Sequence, residues 1–156
     1  MKFLADDDRF GIVITPTEYR TPTEGRRFYR FQLVVDGVLL GDTEPCIIGS
    51  AMNRLGNLHT LNDRRLSSGL SNPTKLMELL QVDEELHDPA SLSLAESLDN
   101  WLLYGYRYEE NVVFMAREYQ SPEIFGDVLA VAIDSFVYDS LFEMALIYWI
   151  QCDATL

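Results

Sequence analysis

Residues 25 to 37, GRRFYRFQLVVDG, constrain the fold more than any other stretch of the chain. Phe28, Arg30, Gln32 and Val34 alternate with Tyr29, Phe31, Leu33 and Val35, and the second set is uniformly apolar. A period of two places that set on one face of a strand. Asp36-Gly37 follows at once and suits the positive φ angles of a two-residue hairpin turn. Val38 to Leu40 start the return strand, and Gly41-Asp42 end it. A slip of one residue would turn the apolar set to solvent, so pattern and turn together pin the register.

RFGIVITPTEY, residues 9 to 19, is a β-rich run that Pro16 is expected to end. Ile47, Ile48, Ala51, Met52, Leu55 and Leu58 fall at helical spacing, with Gly49 or Ser50 as the start. Residues 62 to 73 read as a loop, and PTKLMELLQ as a short helix burying Leu76, Met77, Leu79 and Leu80. VDEELHDPASLS, residues 82 to 93, reads as an acidic, exposed connection. Ser93 stands three residues before Glu96, the spacing of a capping box. WLLYGYRY and NVVFMAREY, residues 101 to 108 and 111 to 119, form a second hairpin across Glu109-Glu110. From Phe125 to Cys152 the apolar residues favour a helix with a wide apolar face, although DVLAVAI also suits a strand. The resulting order is β-β-β-α-α-β-β-α. It implies an α+β fold: an antiparallel sheet built from hairpins, with helices packed on one face. Residues 1–156 are expected to form one domain.

Charge is the next informative feature. Residues 1–72 hold nine Lys/Arg and nine Asp/Glu, whereas residues 73–156 hold three and sixteen, so the net −13 lies entirely in the second part. Such a field repels phosphate backbones and disfavours direct nucleic-acid binding. It attracts basic proteins, although acidity also simply keeps a protein soluble. The start, MKFLADDDRF, is expected to carry no secretory signal. Val128 to Ile150 is broken by Asp134, Asp139 and Glu143, so no transmembrane helix is expected. Cys46 and Cys152 lie far apart without a CxxC partner and are expected to be reduced thiols in the cytoplasm.

No pattern in the chain specifies catalysis. A nucleophile needs a base beside it, usually histidine, and only His59 and His87 are available. The carboxylates of Asp6 to Asp8 lack the glycine and closing glutamate of a calcium loop. GLSNPTK lacks the GK[ST] ending of a phosphate-binding loop. No catalytic, metal or cofactor residue is therefore assigned, and no cofactor is expected. With so many carboxylates some pairs must lie close, so a small carboxylate-dependent enzyme stays as an alternative.

The strand ending in Asp36-Gly37, then LLGD and IIGSAMNRL, resembles the N-terminal unit of small bacterial immunity proteins. These are antidotes of polymorphic-toxin and contact-dependent growth inhibition systems. SLSLAESLDNWLLYGYRYEENVVFMA is similar to their middle segment, and the resemblance covers roughly residues 9 to 60 and 91 to 119. It implies a cytoplasmic, non-enzymatic protein that binds the C-terminal toxin domain of a cognate partner and blocks it. An acidic immunity protein suits a basic toxin, of which a nuclease is the leading class. Asp83, Glu84, Glu85, Asp88, Glu96, Asp99, Glu109 and Glu110 are the candidate carboxylates for that contact. Tyr106 and Tyr108 are the candidate aromatic anchors. An acidic adaptor for some other basic protein is the rival reading.

Overall fold

A computed structural model describes residues 1–67, 71–120, 123–124 and 126–155. Among these the chain forms two antiparallel sheets and four α-helices, an α+β fold. The first sheet runs in the order β1 (Lys2–Ala5), β2 (Phe10–Arg20), β3 (Arg27–Val35) and β4 (Val38–Leu40), with β5 (Pro45–Cys46) also on β3. After α1 (Gly49–Gly56) come α2 (Pro73–Val82) and α3 (Glu84–Ala90). The second sheet comprises β6 (Ser91–Leu92), β7 (Trp101–Tyr108), β8 (Asn111–Gln120), β9 (Glu123–Ile124) and β10 (Leu129–Asp134). Its order is β10-β8-β7-β6, with β9 on β8, and α4 (Ser135–Ala154) follows.

The first hairpin forms as its alternation requires. Asp36 and Gly37 have φ of 50° and 77°, Val35 pairs with Val38, and Tyr29, Phe31, Leu33 and Val35 are all buried. Gly37 N donates to Arg9 O at 3.0 Å, and Arg9 Nη2 reaches Asp36 at 2.8 Å, tying this turn to the preceding one. That preceding turn is Asp6 to Asp8, whose three positive φ angles suit a residue tolerant of the left-handed region. The acidic run near the start thus reverses the chain between β1 and β2.

Four local expectations need correction. Pro16 does not end β2, which continues to Arg20 through a register shift, the kind of irregularity that tolerates proline. The acidic stretch after Val82 is not a connection throughout: Glu84–Ala90 is α3, started by the Asp83 side chain accepting from Glu85 N and anchored by Leu86 and Ala90. The segment expected to be one helix divides into β10 and α4. Leu129 to Asp134 pairs along β8, and Asp134 then accepts from Phe136 N and Val137 N, which starts the helix sharply. Residue 125 lies outside the described residues, as do residues 68–70 of the expected loop. Ser93 and Glu96 form no capping box; Glu96–Leu98 is a single 3-10 turn without a side-chain cap.

The second sheet separates two apolar cores. On one side Phe114, Val131 and Ile133 pack with Phe10, Ile12 and Phe31 of the first sheet and with Leu55 and Tyr138. The Phe10 and Phe114 rings stack at 4.4 Å, and Tyr138 Oη donates to Leu55 O at 2.7 Å. On the other side Tyr104, Tyr106 and Met115 face Leu76, Met77 and Leu80 of α2 and Leu86 of α3. Helices α2 and α3 therefore cover the outer face of the second sheet, while α1 and α4 complete the core between the sheets. Gly105 marks a tight approach between buried side chains: a Cβ there would stand 2.6 Å from Leu92 Cδ1 and 2.9 Å from the Phe114 ring.

Candidate interaction surface

The eight carboxylates singled out from sequence occupy three separate places, and Tyr106 and Tyr108 lie in β7 between the last two. Asp83, Glu84, Glu85 and Asp88 belong to α3 and its start. Glu96 and Asp99 flank the 3-10 turn before β7, and Glu109-Glu110 form the turn after it. The eight residues of β7 separate the second place from the third by about 26 Å, at roughly 3.3 Å per residue. No single carboxylate face collects all of them.

On α3, Asp83 is already committed. It caps the helix and shares Arg65 with Asp63, each carboxylate 2.7 Å from Nη2. The Arg65 guanidinium holds the Asp63 carboxyl down to about 2. Glu84, Glu85 and Asp88 remain exposed. His87, considered above only as a possible base, turns inward. Its Nδ1 lies 3.0 Å from Tyr104 Oη and 3.2 Å from Leu80 O. Burial pushes the Tyr104 hydroxyl up to about 12. The pair serves to seat α3 on β7.

Glu96 and Asp99 border a shallow groove of about 440 Å³ whose lining includes Phe28, Cys46, Ile47 and Leu94. Ser97 holds this turn to the first sheet, its Oγ donating to Phe31 O at 2.6 Å. Cys46 and Cys152 are both free thiols, and burial pushes the Cys46 thiol up. A buried, protonated thiol is a poor nucleophile.

The turn after β7 sets exposed charge beside apolar surface. Tyr108 pairs with Asn111 across Glu109-Glu110, and Glu109 adopts a φ of 51°. Ser135 N donates to Glu110 O at 2.8 Å, which brings the start of α4 against the turn. Asp134 and the exposed Phe136 therefore join Glu109 and Glu110 at one end of the molecule. Arg107 is the nearby cation, and Asp139 engages it at 2.6 Å while its guanidinium sits 5.7 Å from the Tyr138 ring centroid.

The two proposed anchors differ. Tyr106 is 1% exposed and belongs to the core under α2 and α3, so it is corrected from anchor to core residue. Its place in β7, one residue from Gly105 and opposite Val113, turns its ring inward. Tyr108 packs partly buried against the same core. Sequence reasoning also passed over the exposed apolar residues of α4. The signal was present, since a helix apolar on every side cannot bury all of them in a chain this size.

Among the described residues no group of three or more His, Cys, Asp or Glu side chains is placed to hold a metal ion. None of their helices is long and apolar enough to cross a membrane. These arrangements offer recognition chemistry: carboxylates beside apolar ridges and shallow grooves.

No family model and no curated protein sequence matches the chain. A solved structure does match: CdiI from Burkholderia dolosa AUO158, with a TM-score of 0.60 and 16% identity. The alignment covers 95% of this chain and 99% of that one. The chain has the fold of that CdiI. The resemblance seen in the strand, turn and helix units thus extends to the architecture as a whole. At this identity the likeness is one of fold, and no contact residue transfers.

Proposed function

We propose that the chain is an immunity protein that binds a cognate toxin domain and neutralises it. The observation that carries this reading is the fold shared end to end with CdiI, a contact-dependent growth inhibition immunity protein. Such proteins bind the toxin domain of their cognate CdiA. The protein acts without catalysis, in the cytoplasm, as one domain over residues 1–156.

The toxin is a basic, nuclease-type domain, a reading that rests on the net −13 concentrated in residues 73–156. Carboxylates such as Glu84, Glu85, Glu109 and Glu110 occupy the places where substrate phosphates would meet the toxin's Lys and Arg. Opposite fields also accelerate association, which matters when a single free toxin molecule is harmful. Inhibition follows from covering the active site or from excluding substrate beside it.

Co-expression with the protein encoded by the reading frame immediately upstream tests the reading. A stable complex and rescue of growth are expected. A toxic neighbour that is neither bound nor neutralised would sink it and leave an acidic adaptor as the better description.

A further inference from the structure

Helix α4 carries apolar residues on every side, interspersed with Asp139, Ser140, Glu143 and Gln151, and a helix whose apolar residues are spread in this way cannot bury them all against one core. Tyr138, Leu141 and Ala145 take its buried side. Phe136, Met144, Ile147 and Ile150 stay 79, 59, 48 and 54% exposed. At 100° per residue these four fall within about 120° of one another, along a ridge of roughly 21 Å. Beside the ridge, α1 and α4 enclose a groove of about 420 Å³ lined in part by Met52, Asn53, Phe142, Leu146 and Trp149. Gly56 shapes its wall, because a Cβ there would stand 3.0 Å from the Phe142 ring.

The charge at the N-terminal end of this surface is acidic. After Arg117 the chain carries seven Asp/Glu and no Lys, Arg or His. Glu143 lies on the ridge without an ion pair among the described residues. Glu109, Glu110 and Asp134 stand at its N-terminal end. Of the cations near the helix, Arg107 is paired with Asp139, whereas Arg20 and Arg27 donate to Thr155 O at 2.5 and 2.9 Å and keep their charge at its C-terminal end.

We infer that the α4 ridge and its groove receive the partner, and that the partner presents an apolar anchor ringed by Lys and Arg. This rests on the toxin-binding reading and assigns that reading its central contact. A second copy of the chain fits poorly. The ridge alone offers about 300 Å², short of the roughly 800 Å² per partner of a standard interface of any kind, so the surface around it decides the occupant. The flanking surface that would complete a symmetric contact carries Glu109, Glu110, Asp134 and Glu143. Those groups repel a copy and attract a basic protein.

The test uses the upstream-encoded protein, inactivated at its catalytic centre and immobilised, as the probe for surface plasmon resonance. Ile147→Lys and Met144→Lys alter exposed ridge positions, and Leu39→Lys alters an equally exposed apolar position on the first sheet. Urea midpoints matching wild type establish that each variant folds. Each ridge variant is expected to weaken binding at least about 30-fold, chiefly through faster dissociation. Leu39→Lys is expected to stay within about threefold of wild type. Wild-type binding with unaffected ridge variants would overturn the inference and leave the toxin reading standing. Failure of wild type to bind would overturn the toxin reading, and the inference with it. Light scattering that finds a wild-type dimer dissociated by Ile147→Lys would also overturn it, by making a second copy the occupant.

Discussion

The sheet of β1 to β5 turns one face to the core and leaves the other without a second core, whereas the sheet of β6 to β10 has a core on each face. Val13 and Val34, on the outer side of the first sheet, join neither apolar cluster. In the second sheet adjacent residues of one strand, such as Val112 and Val113 or Phe114 and Met115, feed opposite cores. The charge divides similarly, balanced in residues 1–72 and strongly acidic in residues 73–156. A sheet covered on both faces has little room for carboxylates within its strands. The acids of the second part therefore concentrate in turns, in α3 and along α4, where a partner can reach them. Recognition chemistry is thus displaced from the sheet to the elements around it.

The largest effect is expected where the two sheets meet. Phe10→Ala removes the ring stacked on Phe114 and should cost about 3–5 kcal/mol in urea unfolding. Far-UV circular dichroism and tryptophan fluorescence should report one coincident transition. Two separated transitions would mean that the sheets unfold independently and that the shared core does not couple them.

Glycine substitutions sharpen the contrast between a sheet with a core on each face and one with a core on a single face. Gly105→Ala drives a Cβ into Leu92 and Phe114, both buried, and should cost about 2–3 kcal/mol. Gly11→Ala meets the exposed Leu4 at 2.5 Å and Phe3 O at 2.9 Å. The edge strand β1 can yield there, so about 1 kcal/mol is expected. Equal losses would show that the outer face of the first sheet is as tightly constrained as the second sheet. On that outer face, Leu39→Thr should change stability by no more than about 0.5 kcal/mol. A larger loss by thermal denaturation would reveal packing on the open face.

The smallest effect concerns Arg65, which links Asp63 in the balanced part to Asp83 in the acidic part. Because Asp63 is held near 2, its ionisation favours the folded state above its ordinary pKa. That contribution declines as pH falls from about 4 towards 2. The stability difference between wild type and Asp63→Asn should therefore be level at neutral pH and shrink across this acidic range. Arg65 is exposed and Asp63 half-buried at the surface, so solvent screens the pair and the difference is small throughout. A gap unchanged from pH 7 to pH 2 would remove the ion pair from the account.

Much of the fold was legible because its signals are local. Both hairpins, α1 and α2 follow from alternation, turn residues and helical spacing within a few residues of each element. The candidate surface was legible only in part. Glu109 and Glu110 were visible as a turn, but their proximity to Phe136 depends on β10 laying the start of α4 beside them. Asp83 and His87 looked alike on paper, yet one caps a helix and pairs with Arg65 while the other seats α3 against Tyr104.

The amino-acid sequence by itself determined the α+β class, the register of the first hairpin and the acidic second part. Period, turn chemistry and charge are properties of neighbouring residues. Only the tertiary structure decided that the strands divide into two sheets, that DVLAVAI is a strand, and that Tyr106 is core while Phe136 and Ile147 are surface. A short apolar run is strand or helix according to what lies beside it. For Leu129 to Asp134 the unpaired edge of β8 supplied that neighbour. An apolar residue is core or surface according to how many layers cover it, and that number exists only once the sheets have met.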